Sequence, residues 1–202
     1  MDKYLNNFLS PVKELRIFMA ATLTGILPTI PDNRAGFYLR KIVSAFTQAV
    51  KNEADSSVSE FLAKDAGLLF NQLQELRHGE DIRTLLILFQ GCPQPLKALD
   101  LQPLGLRLLA RMDEAAFKKD QNDAIIGLFR QMMPEAVPHL LNLLLRRPSK
   151  SLPFEWYMQN LQVMELLKEF KQESVAEAQK ILGTTSEETK NLILDILKNL
   201  QQ

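Results

Sequence analysis

The sequence predicts an all-α fold, and three observations carry that prediction. Leucine outnumbers valine by 36 to 7 in 202 residues, and unbranched side chains keep their rotamer freedom in a helix whereas β-branched ones favour the pleated surface of strands. Apolar residues recur at spacings of three and four, as in Leu39, Ile42, Val43, Phe46 and Val50, which is the period of one helix face. No segment alternates with the period of two that a half-buried strand needs. The expectation is an irregular multi-helix bundle of about eight to ten helices, with no sheet.

The elements follow from start and stop chemistry. Ser10 before Pro11 reads as an N-cap with proline at the first helical position, opening a helix to about Leu27. Pro28 to Asn33 is then a loop, and a second helix spans Arg34 to Glu53. Ser57-x-x-Glu60 reads as a capping box for a third helix that continues to His78, next to Gly79. Asp81 to Gln90 is a short, very apolar helix stopped by Gly91, and Cys92-Pro93-Gln94-Pro95 is a rigid connector. Pro103 starts a helix to Met112; another runs from Glu114 to Met133 with a weak point at Asp120. Val137 to Arg147 is apolar almost all round, the pattern of a central helix or an interface, and Pro148 ends it. A long helix follows Pro153 with Trp156, Val163, Leu167 and Phe170 on one stripe, widened by Leu161 and Met164. Thr185-x-x-Glu188 reads as the capping box of the last helix, whose seam is Leu192, Ile193, Ile196, Leu197 and Leu200.

No repeat of fixed period is visible, which argues against a solenoid. The chain reads as a single helical domain over residues 1–202, or as two sub-lobes with a joint near 91–95 or 148–153. The stretch Leu15 to Ile30 carries Arg16, Gly25 and Pro28, so it falls short of the roughly 20 apolar residues of a membrane span. It also lacks the layout of a signal peptide. A lone cysteine, Cys92, permits no internal disulfide and no zinc site of four thiolates, which favours a reducing, cytoplasmic setting.

Charge narrows the function. The 24 basic and 24 acidic side chains cancel, so a chain-wide nucleic-acid binder is not expected. The zero is nevertheless a sum of opposed blocks: residues 151–202 hold 5 basic and 8 acidic groups, and residues 101–150 hold 8 and 5.

Catalytic constellations are scarce. Glu75 with His78 is a single Glu-x-x-His pair, and Glu135 before His139 has a different spacing, so a di-iron site of the helical-bundle kind lacks half its ligands. Asp120 and Asp123 sit in a polar cluster that reads as a turn. Glu165, Glu169 and Glu173 share a face with Lys168 and Lys171, an ordinary solvated pattern. Cys92 follows a helix C-terminus, where the dipole disfavours a thiolate. No G-x-S-x-G elbow, P-loop or G-x-G-x-x-G is present. No cofactor or metal is expected.

Binding features stand out instead. Arg34, Arg40 and Lys41 with Phe37 and Tyr38 make a basic-aromatic start to the second helix. Arg146, Arg147 and Lys150 surround Pro148. Thr84 to Phe89, Leu104 to Leu109 and Leu140 to Leu145 hold more apolar side chains than one helix face uses, with Met132 and Met133 adjoining as adaptable packing residues. The expected function is a non-enzymatic helical protein-interaction module, an adaptor, secretion-type chaperone or accessory subunit. It would bind a helical or extended partner segment in an apolar groove, through Leu140, Leu141, Leu144, Arg146, Arg147, Lys150, Met132, Met133, Arg40 and Lys41. The alternatives are a carrier or sensor of a small apolar ligand or lipid in a bundle cavity, and an enzyme of unrecognised type.

Overall fold

Prolines and short polar side chains set most of the helix starts. The computed structural model describes residues 10, 12–26, 32–77, 79–147 and 152–201, and among them it holds eleven α-helices and no strand. In chain order they are α1 (Lys13–Ile26), α2 (Asp32–Asn52), α3 (Ser56–Leu73), α4 (Asp81–Gly91), α5 (Pro93–Lys97), α6 (Gln102–Ala115), α7 (Lys119–Gln131), α8 (Val137–Arg146), α9 (Phe154–Glu169), α10 (Lys171–Leu182) and α11 (Glu187–Gln201). No described helix is long and apolar enough to cross a membrane.

The helix count exceeds the expected one for two reasons. Pro93 at the first helical position turns the Cys92–Pro95 connector into the single-turn α5. The long helix after Pro153 breaks at Phe170, whose φ of −118° and ψ of 50° leave the helical region. There the Leu167 carbonyl accepts from the Phe170 N–H (3.2 Å) and from the Ser174 hydroxyl (2.9 Å).

Several ends also move from their expected positions, among them the start of α7, at Lys119 rather than Glu114 because α6 runs on to Ala115, and the start of α2, at Asp32 rather than Arg34. Both capping boxes shift. Asp55, not Ser57, caps α3, its Oδ1 accepting from the Val58 N–H at 3.3 Å. Ser186, not Thr185, precedes α11, and its carbonyl accepts from the Lys190 N–H at 2.9 Å. α3 ends at Leu73, short of His78, which lies outside the described residues. Leu76 then adopts a left-handed φ of 51°, a conformation that costs a non-glycine residue about 1–2 kcal/mol. Its side chain is buried, so apolar burial offsets that cost.

The chain divides into two compact units, Met1–Asp100 and Leu101–Gln202. The division falls a few residues past the 91–95 joint. The 148–153 joint lies inside the second unit, where α8 and α9 pack on one another. In the first unit α2 lies against α4, and α3 against α1, α4 and α5. Its core holds Phe46, Leu62, Leu69, Phe70, Leu85 and Phe89, with Phe70 edge-on to Phe89 at 6.0 Å between centroids. Gly91 allows the α2–α4 approach, because a Cβ there would sit 2.4 Å from Thr47 Cβ. At the other end, Arg16 grips Glu53 with two nitrogens, at 2.8 and 3.0 Å. The Glu53 carboxyl is held below its ordinary pKa first by the Asp55 N–H and then by Arg16.

In the second unit α8 is the central element, packed against α6, α9, α10 and α11. It approaches α6 closely at Gly105, where an added Cβ would run into the His139 ring at Cδ2 and Nε2. This gives a prediction with a change of sign. Alanine favours a helix over glycine by about 1 kcal/mol, but overpacking a core costs typically about 1–3 kcal/mol. Gly105→Ala should therefore destabilise the protein alone and stabilise it in a His139→Ala background, which urea unfolding of the four proteins will read. An unchanged sign in that background would refute the contact.

Candidate functional site

α9 is apolar on two faces, and the second of them has no cover among the described residues. Val163, Leu166 and Leu167 are buried, as the core stripe requires, and Gln159 is buried with them. On the opposite side Phe154, Tyr157, Met158 and Leu161 are 42–71% exposed. Their spacing, i, i+3, i+4 and i+7, is that of a continuous helix face. An aligned run of four large apolar side chains on one helix differs from the scattered exposed leucines of an ordinary surface.

That face runs into a groove. Tyr157, Asn160, Leu161 and Met164 of α9 form one wall, and Leu192, Asp195, Ile196 and Asn199 of α11 the other. Leu144 and Arg147 complete the lining, around a cavity of about 200 Å³. The α11 wall follows from its register, since residues at i, i+3, i+4 and i+7 share one side of the helix. Asp195 is exposed and makes no ion pair with a described residue.

Beneath the groove a polar chain runs through the core. The Arg147 side chain is only 3% exposed and pairs with Asp113. Its Nη1 donates to Gln159 Oε1 at 2.7 Å, Gln159 Nε2 donates to Asn122 Oδ1, and Asn122 Nδ2 donates to Gln162 Oε1 at 2.7 Å. The guanidinium lies 4.4 Å from the centroid of the Trp156 ring, and Asn160 Nδ2 donates to the Arg147 carbonyl at 3.1 Å. Burial lowers the Arg147 pKa to about 10, so the group still carries its charge at neutral pH. Arg146 is held as well, donating to the Leu109 carbonyl at 3.0 Å and lying 3.5 Å from Asp113.

The residues expected to bind a partner therefore occupy several different environments. Leu140, Leu141, Met132 and Met133 are core, which corrects the expectation that they line a groove: α8 is surrounded by four helices and its apolar excess is used internally. Leu144, at the edge of that core, is the one of these apolar residues that reaches the groove. Arg147 is a buried strut rather than a presented cation, because Asp113 and Gln159 fold it inward. Lys150 lies outside the described residues. In the first unit Arg40 is exposed, 3.6 Å from Glu80, and Lys41 Nζ sits 4.8 Å from the Phe37 ring centroid. Tyr38 meets Phe37 edge-on at 5.5 Å.

The chemistry-bearing candidates are quiet. Cys92 is buried, and desolvation pushes its thiol up to about 12, far from a reactive thiolate. Burial lowers the His139 pKa, keeping the ring neutral against Gly105. Among the described residues no group of three or more His, Cys, Asp or Glu is placed to hold a metal ion. No family model, curated protein or solved structure matches the chain. Phe154, Tyr157 and Met158 were not singled out from the sequence. The clue was there, a second apolar face on α9 out of phase with its core stripe.

Proposed function

We propose that the second unit is a helical protein-interaction module that binds a partner segment along α9 and in the α9–α11 groove. It would act as an adaptor, chaperone or accessory subunit, by binding rather than by catalysis. The observation that carries this reading is the aligned, exposed face of Phe154, Tyr157, Met158 and Leu161 opening into the groove. Such an i, i+3, i+4, i+7 face is what one helix offers to another. A cytoplasmic setting suits the lone buried thiol.

Volume favours a protein segment over a small apolar ligand. Small-molecule sites usually occupy about 300–1,000 Å³ and enclose most of the ligand. The cavity is about 200 Å³, with exposed residues along its walls. A cavity of about 150 Å³ accepts a benzene ring, so the groove has room for an inserted aromatic or leucine side chain rather than an acyl chain.

The test is selective loss. A tagged wild-type protein and a Leu161→Asp variant are compared by quantitative affinity capture, with circular dichroism confirming that both are folded. Wild type should recover at least one protein about tenfold more than the variant does, since a charge in the centre of an apolar contact costs more than 1.4 kcal/mol. Identical recoveries from the two would count against the reading.

A further inference from the structure

We infer that the occupant of the α9–α11 groove is a basic amphipathic helix, its apolar face seated on Tyr157, Leu161 and Met164 and its Lys or Arg side chains against α11. This rests on the proposed docking function and specifies the partner's chemistry. The argument begins with which charges an occupant meets. Two residues of charged type line the groove, Arg147 and Asp195. Arg147 is turned inward and paired with Asp113, a carboxylate it shares with Arg146. Asp195 is exposed and unpaired among the described residues, so the charge presented to an occupant along the α11 wall is a carboxylate.

The surroundings have the same sign. Helical spacing puts exposed Glu188 one turn before Leu192, on the face of α11 that carries Asp195 and Asn199. Glu155 and Glu165 flank the exposed α9 face, Glu165 with Lys168 at 3.9 Å, and the 5 basic and 8 acidic groups of residues 151–202 give that part of the chain a net −3. Lys198, three residues after Asp195 on α11, is exposed but is not among the residues that line the groove. Apolar contact supplies affinity, while complementary charge at the rim selects the partner and its orientation. An acidic helix would place like charges against Asp195 and Glu188. An apolar segment without cations would leave both carboxylates partly desolvated and unpaired.

A display library of amphipathic helical peptides tests this on the full chain. Each peptide is apolar at i, i+3, i+4 and i+7, with the flanking positions varied among Lys, Gln and Glu. Peptides enriched on wild type over Leu161→Asp should carry Lys in clear excess over Glu. A synthetic Lys-flanked winner should bind at least about tenfold more tightly than its Glu-flanked twin, with the margin shrinking as NaCl rises. Asp195→Lys should abolish or reverse that preference while leaving the fold intact by circular dichroism. Winners with no charge bias, or a bias that Asp195→Lys leaves untouched, would overturn the inference while leaving the docking face standing. No enrichment over Leu161→Asp would instead overturn the docking face itself.

Discussion

Leu140→Ala is expected to destabilise the second unit by about 2–5 kcal/mol, the range for truncating a fully buried leucine when the surrounding helices only partly collapse into the space. Leu140 is 0% exposed on α8, the helix against which α6, α9, α10 and α11 all pack. The comparison that gives this result its meaning is Leu161→Ala. Leu161 is 42% exposed, so the change should alter stability by no more than about 0.5 kcal/mol. Urea unfolding followed by far-UV circular dichroism separates the two. The pair tells a core leucine from a docking leucine, although both belong to apolar runs of similar composition. A Leu140→Ala protein as stable as wild type would mean that α8 is not packed on all sides.

The second large effect is that of Asp113→Ala, expected to cost about 3 kcal/mol. This is the low end of the range for removing one partner of a buried ion pair, because Asp113 itself is half exposed and water reaches the vacated side. What makes the loss expensive is the charge left behind. Arg147 stays ionised at neutral pH and cannot leave the core without giving up Gln159 and Trp156. Arg147→Met removes the charge and keeps an apolar stem beside Trp156. Its cost should be nearer 1–2 kcal/mol, roughly that of leaving Gln159 Oε1 without a donor. In the Arg147→Met background, Asp113→Ala should then cost under about 0.5 kcal/mol. Additive losses across this double-mutant cycle would show that the pair does not act as a unit.

The regular part of this architecture was legible in the sequence because it depends on local chemistry. The Leu39–Val50 periodicity yields α2, and Pro103 marks the start of α6. The apolar excess of α8 left a central helix and an interface both open, and packing against four helices places it at the centre of the second unit. The departures are non-local. Nothing at Phe170 breaks a helix by propensity; a hydroxyl seven residues beyond Leu167 takes the Leu167 carbonyl and stabilises the turn. Arg147 reads as a presented cation beside a proline until Asp113, 34 residues earlier, is brought against it. The exposed α9 face was not legible as such, since Leu161 read as widening the core stripe and Phe154, Tyr157 and Met158 did not stand out. Helical spacing shows that a second apolar face exists, but only the packed neighbours decide which of two faces is covered.

The stack of Arg147 on Trp156 has a spectroscopic consequence. Trp156 is the only indole in the chain, and it belongs to the unit Leu101–Gln202. Its emission is therefore a private signal of that half, whereas ellipticity is shared by all eleven helices. The guanidinium over the ring ties the emission to the ion pair, so intensity will change when that contact opens as the unit unfolds. Melting curves recorded by the two optical channels, subtracted from one another, would give the unfolding of Met1–Asp100 without a label or a truncation.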